Sequence, residues 1–181
     1  MRKVLILIVI VIITIGSIYV LIHFIGMQSF PLPFACWLNL ILLAGVRTFT
    51  ETLKSKLTSS YFNEKAWERR GKIYESLGIN FFRKLLVGIG WERHVTKKSN
   101  PVERNTKALI NLHYQTKHGE LGHLIVLNIV FGFTIFVAFK FGVLQSLWLL
   151  ILNIILNLYP VLLQRYNRPR IERAINLSQH R

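Results

Sequence analysis

Between His113 and His123 the chain reads His-Tyr-Gln-Thr-Lys-His-Gly-Glu-Leu-Gly-His, immediately ahead of an apolar run that begins at Leu124. In a helix, about 100° of rotation per residue places His113, Thr116, Glu120 and His123 within an arc of about 80°. An ionisable side chain at membrane depth costs roughly 2.5–3.5 kcal/mol, so such groups face a bundle interior or a wet cavity. Glu120 and His123, three apart, share a helix face. The carboxylate can orient the imidazole and stabilise its protonated form while the ring takes a proton from a hydroxyl. An ordinary histidine pKa of about 6.5 suits that role. The same spacing also describes a structural pair at a helix start, and spacing does not choose between the two.

A second constellation, Gln164-Arg165-Tyr166-Asn167-Arg168-Pro169-Arg170, stands where a later apolar run ends. Arginines set among Tyr and Asn can grip a phosphate or a sugar hydroxyl; alternatively they are the snorkelling flank of a membrane segment. Other chemistries are excluded. A helical di-iron site needs two Glu-x-x-His motifs, and only Glu120 to His123 fits. His118 and His123 are five apart, about 140° around a helix, which is wrong for a His-Glu-x-x-His zinc site. All 8 acidic residues are Glu, so motifs that require Asp are absent, as are a Gly-rich phosphate loop and a G-x-S-x-G elbow. No metal and no cofactor are expected. The single cysteine, Cys36, precludes an internal disulfide and reads as a small apolar side chain.

The elements that must position these residues are apolar helices. With 52% hydrophobic residues in 181, the chain is read as a membrane protein. Val4 to Ile25 is expected to be an uncleaved signal anchor, too long for a signal peptide and followed by no A-x-A site. Pro31 and Pro33 mark a turn, and Phe34 to Val46 is a second, shorter span or a re-entrant segment. Ile73, Leu77, Phe81, Leu85 and Ile89 recur every four residues beside Tyr74, Phe82 and Leu86, predicting one amphipathic helix at the membrane surface. Lys97 to Pro101 is a loop, and Asn105 or Thr106 caps a helix starting near Lys107. Leu124 to Phe139 and Val143 to Leu163 are spans three and four, separated by a turn at Lys140 and Gly142. Asn153 and Asn157, one turn apart in the last span, are interhelical hydrogen-bonding groups or part of a site wall.

The net charge of +15 is distributed by side. Fifteen of the 23 Lys and Arg lie between spans two and three, most of the rest lie at the termini, and the opposite side has only Lys140. That asymmetry predicts both termini and the large loop on the cytoplasmic side, with the charge serving topology and lipid headgroups rather than nucleic acid. The expected protein is an all-α, polytopic membrane protein with about four transmembrane helices and a basic cytoplasmic amphipathic-helical region. It is one membrane-embedded domain: an N-terminal hairpin at 1–46, a cytoplasmic region at 47–120, a C-terminal hairpin at 121–163 and a basic tail at 164–181.

Three groups of residues carry a resemblance: Tyr166-Asn167-Arg168-Pro169-Arg170; Thr116-Lys117-x-x-Glu120-Leu121-x-His123; and Tyr61-Phe62-x-x-Lys65 with Glu68-x-x-Gly71-Lys72-x-Tyr74. In this order they resemble the glycosyl-diaponeurosporenoate acyltransferase family of staphyloxanthin-type carotenoid biosynthesis, from about Tyr61 to Arg170. The resemblance implies a cell-membrane enzyme that moves a fatty acyl group from a donor (acyl-CoA, acyl carrier protein or a lipid) to a sugar hydroxyl of a glycosylated carotenoid. It implies Glu120 and His123 as the catalytic pair, with Thr116, Lys117, Tyr166, Asn167, Arg168 and Arg170 contacting substrate. Two alternatives stand beside it: an acyltransferase acting on another glycolipid or lipid hydroxyl, and a non-catalytic membrane scaffold or lipid-binding protein.

Overall fold

The structure, a computed structural model, describes residues 2–27, 29, 31–90 and 106–179. Within them all regular structure is helical. The long helices are α1 (Arg2–Phe24), α2 (Pro31–Leu53) and α5 (Thr106–Phe141). A last helical run comprises α6 (Val143–Asn153), a π-helical turn (Ile154–Leu158) and α7 (Tyr159–Gln179). Two short helices, α3 (Ile73–Ser76) and α4 (Ile79–Gly88), and two 3-10 turns, Ser60–Phe62 and Ala66–Gly71, lie between α2 and α5. Among the described residues four helical runs are long and apolar enough to cross a membrane. The expected loop at 97–101 and the Asn105 cap lie outside the described residues.

The chain divides into two compact units: Met1–Lys56 with Leu121–Pro160, and Leu57–Glu120 with Val161–Arg181. The first is the apolar bundle. Its core is Leu21, Phe34, Ala35, Leu38, Leu42, Val126, Val130, Val137 and Leu149, while Val4, Leu5, Ile12 and Ile13 of α1 point outward. An outward face of that kind suits hydrocarbon, where every backbone polar group must be satisfied within its own helix. The few hydroxyls obey the same rule: Thr14 and Ser17 donate to the carbonyls of Ile10 and Ile13, both at 2.8 Å.

At α2 the structure differs from the sequence reading. Its 23 residues rise about 34 Å, a crossing length rather than a short segment. Pro31 and Pro33 fall in its first turn, where the missing N–H groups would have had no helical partner, so they begin the helix instead of breaking it. Gly45 lets α1 approach α2, because a Cβ there would collide with the Thr14 side chain. Between α5 and α6 the turn is as short as expected, with Gly142 at φ +101°.

The second unit holds most of the basic region. The single amphipathic helix predicted over 73–89 is two helices, interrupted at Gly78, whose φ of +80° is left-handed and ends the helical repeat. Leu77 and Phe81 of the four-residue row are both exposed. Ile79, Phe82 and Tyr74 are buried.

Candidate active site

In the second unit the polar face of α5 is matched rung by rung against α7. His113 Nε2 lies 2.9 Å from Glu172 Oε1, the Thr116 hydroxyl accepts from Arg168 Nε at 3.4 Å, and Glu120 Oε1 accepts from Arg165 Nε at 2.8 Å. As numbers rise along one helix they fall along the other, the register of antiparallel neighbours. Glu120 is fully buried, and its second oxygen takes Arg168 Nη2. Both of its carboxylate oxygens are therefore occupied by guanidinium groups.

A second carboxylate completes the cluster. Glu68 accepts from Arg165 Nη1, from the Tyr74 hydroxyl at 2.7 Å and from the Lys65 backbone N–H at 2.8 Å. The two arginines are anchored further by backbone carbonyls, Arg165 to Tyr61 and Arg168 to Phe62, each at 2.9 Å. Arg165 also stacks over the Tyr61 ring at 4.7 Å. Two carboxylates and two guanidinium groups thus balance in charge, and among the described residues no buried side-chain polar atom lacks a partner. Burial alone would raise the Glu68 carboxyl pKa, but the Lys65 N–H, the Tyr74 hydroxyl and Arg165 outweigh it and hold the carboxyl below its ordinary value. Burial, reinforced by Glu68, pushes the Tyr74 hydroxyl upward, so it stays a donor.

Gly71 is needed where the chain meets α7. Its φ is +85°, and an added Cβ would lie 3.1 Å from the Tyr166 carbonyl. Tyr166 is buried, with Arg170 stacked on its ring at 3.5 Å and Arg83 on it at 5.5 Å. Its hydroxyl donates to Glu75 at 3.3 Å, and Arg170 Nη2 reaches the same carboxylate at 3.1 Å. Arg170 is exposed; Lys117 and Asn167 are half-buried and form no hydrogen bond among the described residues.

The first unit has a different polar centre. Asn39, Asn153 and Asn157, all buried, form a chain in the apolar bundle. Asn157 Nδ2 donates to Asn39 Oδ1 at 2.7 Å and to Asn153 Oδ1 at 2.9 Å, and Asn157 Oδ1 faces His123 Nδ1 at 3.5 Å. The His123 ring is only partly covered. Asn157 sits in the π-turn, closed by the Tyr159 N–H on the Ile154 carbonyl, a feature frequent at functional sites. The expected pair is thus engaged separately, Glu120 by arginines and His123 by an asparagine. Among the described residues no group of histidines, cysteines and carboxylates is arranged to hold a metal ion.

A family model for glycosyl-4,4'-diaponeurosporenoate acyltransferase matches residues 58–177, well over half of the chain. The chain belongs to this family. No curated protein and no solved structure matches it. Membership makes the protein an acyltransferase of carotenoid biosynthesis, as the sequence blocks implied. In this acyltransferase most residues of those blocks meet in one place: Tyr61, Phe62, Lys65, Glu68, Gly71, Tyr74, Thr116, Glu120, Tyr166, Arg168 and Arg170 contribute to the ion cluster or to its contact with α7, while His123 belongs to the asparagine chain of the first unit. Sequence reading set Arg165 among the arginines of the second constellation without naming it as a site residue, although Arg165 joins both carboxylates of the acyltransferase's cluster. It overlooked Asn39, a lone amide in an apolar span.

Proposed function

We propose that this acyltransferase moves a fatty acyl group onto a sugar hydroxyl of a glycosylated carotenoid held in the membrane, with His123 as general base. Family membership supplies the reaction class. One observation supports assigning the proton transfer to His123: its ring is only partly covered and its polar partner is a neutral amide, whereas both oxygens of Glu120 are held by arginine. In this reading the imidazole takes the proton as the sugar oxygen attacks the acyl carbonyl. The tetrahedral intermediate then collapses, the bond to the donor's leaving group breaks, and the imidazolium returns the proton to that group. Glu120 acts as the keystone of the ion cluster, with Thr116 and Arg168 beside it. Lys117, Asn167 and Arg170, less enclosed than the cluster, are left for polar contact with the sugar or the donor.

The positive-inside distribution supports a cell-membrane placement with both termini and the region 47–120 cytoplasmic. The exposed Trp67, Phe81 and Ile89, interspersed with Arg69, Arg70, Arg83 and Lys84, suit the headgroup layer. The test is mass spectrometry of pigments from a host that makes the glucosylated carotenoid acid. Wild type adds a fatty-acyl mass, and His123→Ala at equal abundance loses it by about 10²–10⁴-fold, the usual worth of a general base. Undiminished product from His123→Ala would refute the assignment.

A further inference from the structure

The polar chain around Asn157 contains a directional logic that starts at two backbone carbonyls. A carbonyl oxygen can only accept. Asn39 Nδ2 lies 2.8 Å from the Ala35 carbonyl and Asn153 Nδ2 lies 3.0 Å from the Leu127 carbonyl, so in both residues the amide nitrogen is committed there. Each then turns its acceptor, Oδ1, toward Asn157. Facing two acceptors at 2.7 and 2.9 Å, Asn157 has to place its nitrogen between them and use both N–H bonds. Only Oδ1 remains for His123, and it is an acceptor.

From this we infer that the asparagine chain fixes His123 as the Nδ1–H tautomer, leaving Nε2 bare as the basic nitrogen, and that Asn157 is a positioning residue for acyl transfer. The inference rests on the reading of His123 as the base and adds which nitrogen works and what selects it. In a neutral imidazole one nitrogen donates and the other accepts, so the partner of one decides the state of the other. Asn39 and Asn153 act one step further back, by preventing the amide of Asn157 from turning over. The π-turn carries Asn157 and, next to it, Leu156, whose backbone carbonyl is a second acceptor beside the ring.

The experiment is two-bond proton–nitrogen correlation NMR on the full chain in lipid nanodiscs, with 15N-histidine, at a pH where the His123 ring is neutral. His123→Gln identifies the signal among the 6 histidines. The expected spectrum shows a protonated Nδ1 and an unprotonated Nε2. In Asn157→Leu, which removes the acceptor at similar size, the two tautomers mix and the turnover number falls about 10²-fold while KM moves little. A wild-type ring protonated at Nε2, as donation to the Leu156 carbonyl from that nitrogen would give, overturns the inference even if His123→Gln is inactive. A bare Nε2 with full acyl transfer by His123→Gln overturns instead the reading of His123 as base, and with it the positioning role. Should Asn157→Leu fail to fold, the wild-type spectrum alone decides the tautomer.

Discussion

Glu120 shows how differently a residue reads once its partners are known. Its helical spacing to His123 was plain in the sequence, but Arg165 lies 45 positions away and Arg168 lies 48 away, beyond the reach of any local pattern. Glu120→Gln removes the charge shared by the buried Arg168 and the half-buried Arg165, and losing one partner of a buried ion pair typically costs about 3–5 kcal/mol. The expected result is a sharply lower unfolding midpoint and less folded protein, with activity per folded molecule affected less than in His123→Ala. Thermal unfolding by circular dichroism, paired with activity normalised to folded enzyme, checks this. Glu68 gives a pH dependence. Its folded pKa lies below the ordinary 4.5, so its stabilising contribution is full above that value and disappears as pH falls through the depressed folded pKa. Glu68→Gln removes this contribution: the acid limb of stability flattens in that variant and steepens in wild type below about pH 4.5.

Elements were legible where periodicity or length stood alone, as in α1 and the α5–α6 turn. They were misread where a residue has two uses. Proline stops a helix from within but starts one at its first turn, and α2 begins at Pro31. Gly78 was invisible because the apolar spacing from Ile73 to Phe81 continues across it. Asn39 was unremarkable until its partner Asn157, 118 positions away, was known. Gly45 provides an element-scale prediction. Gly45→Ala drives a methyl into Thr14 and separates α1 from α2, costing about 1–3 kcal/mol as overpacking does. Combining it with Thr14→Ala should recover most of that loss. Unfolding of the single and double variants in the same detergent provides the comparison, and additive losses would contradict the contact.

At the scale of the molecule, orientation is the quantity to measure. The lone Cys36 makes this convenient, since Cys36→Ser leaves a chain without thiols. On that background Lys140→Cys should react with a membrane-impermeant maleimide in intact cells, and Leu177→Cys only after permeabilisation. The reverse pattern would turn the charge argument over. The four apolar runs themselves were readable from composition, because a long uncharged stretch has few other uses. The ion cluster was not, since its members come from three distant parts of the chain.

The second unit is assembled from a stretch before the C-terminal hairpin and a stretch after it. On the ribosome, Glu68 and Glu120 therefore emerge well ahead of Arg165 and Arg168, and for that interval both carboxylates lack their counter-ions. The unit should therefore close only after α7 has been synthesised. Chains arrested at Pro160 should keep a protease-resistant first unit while residues 57–90 are cut readily.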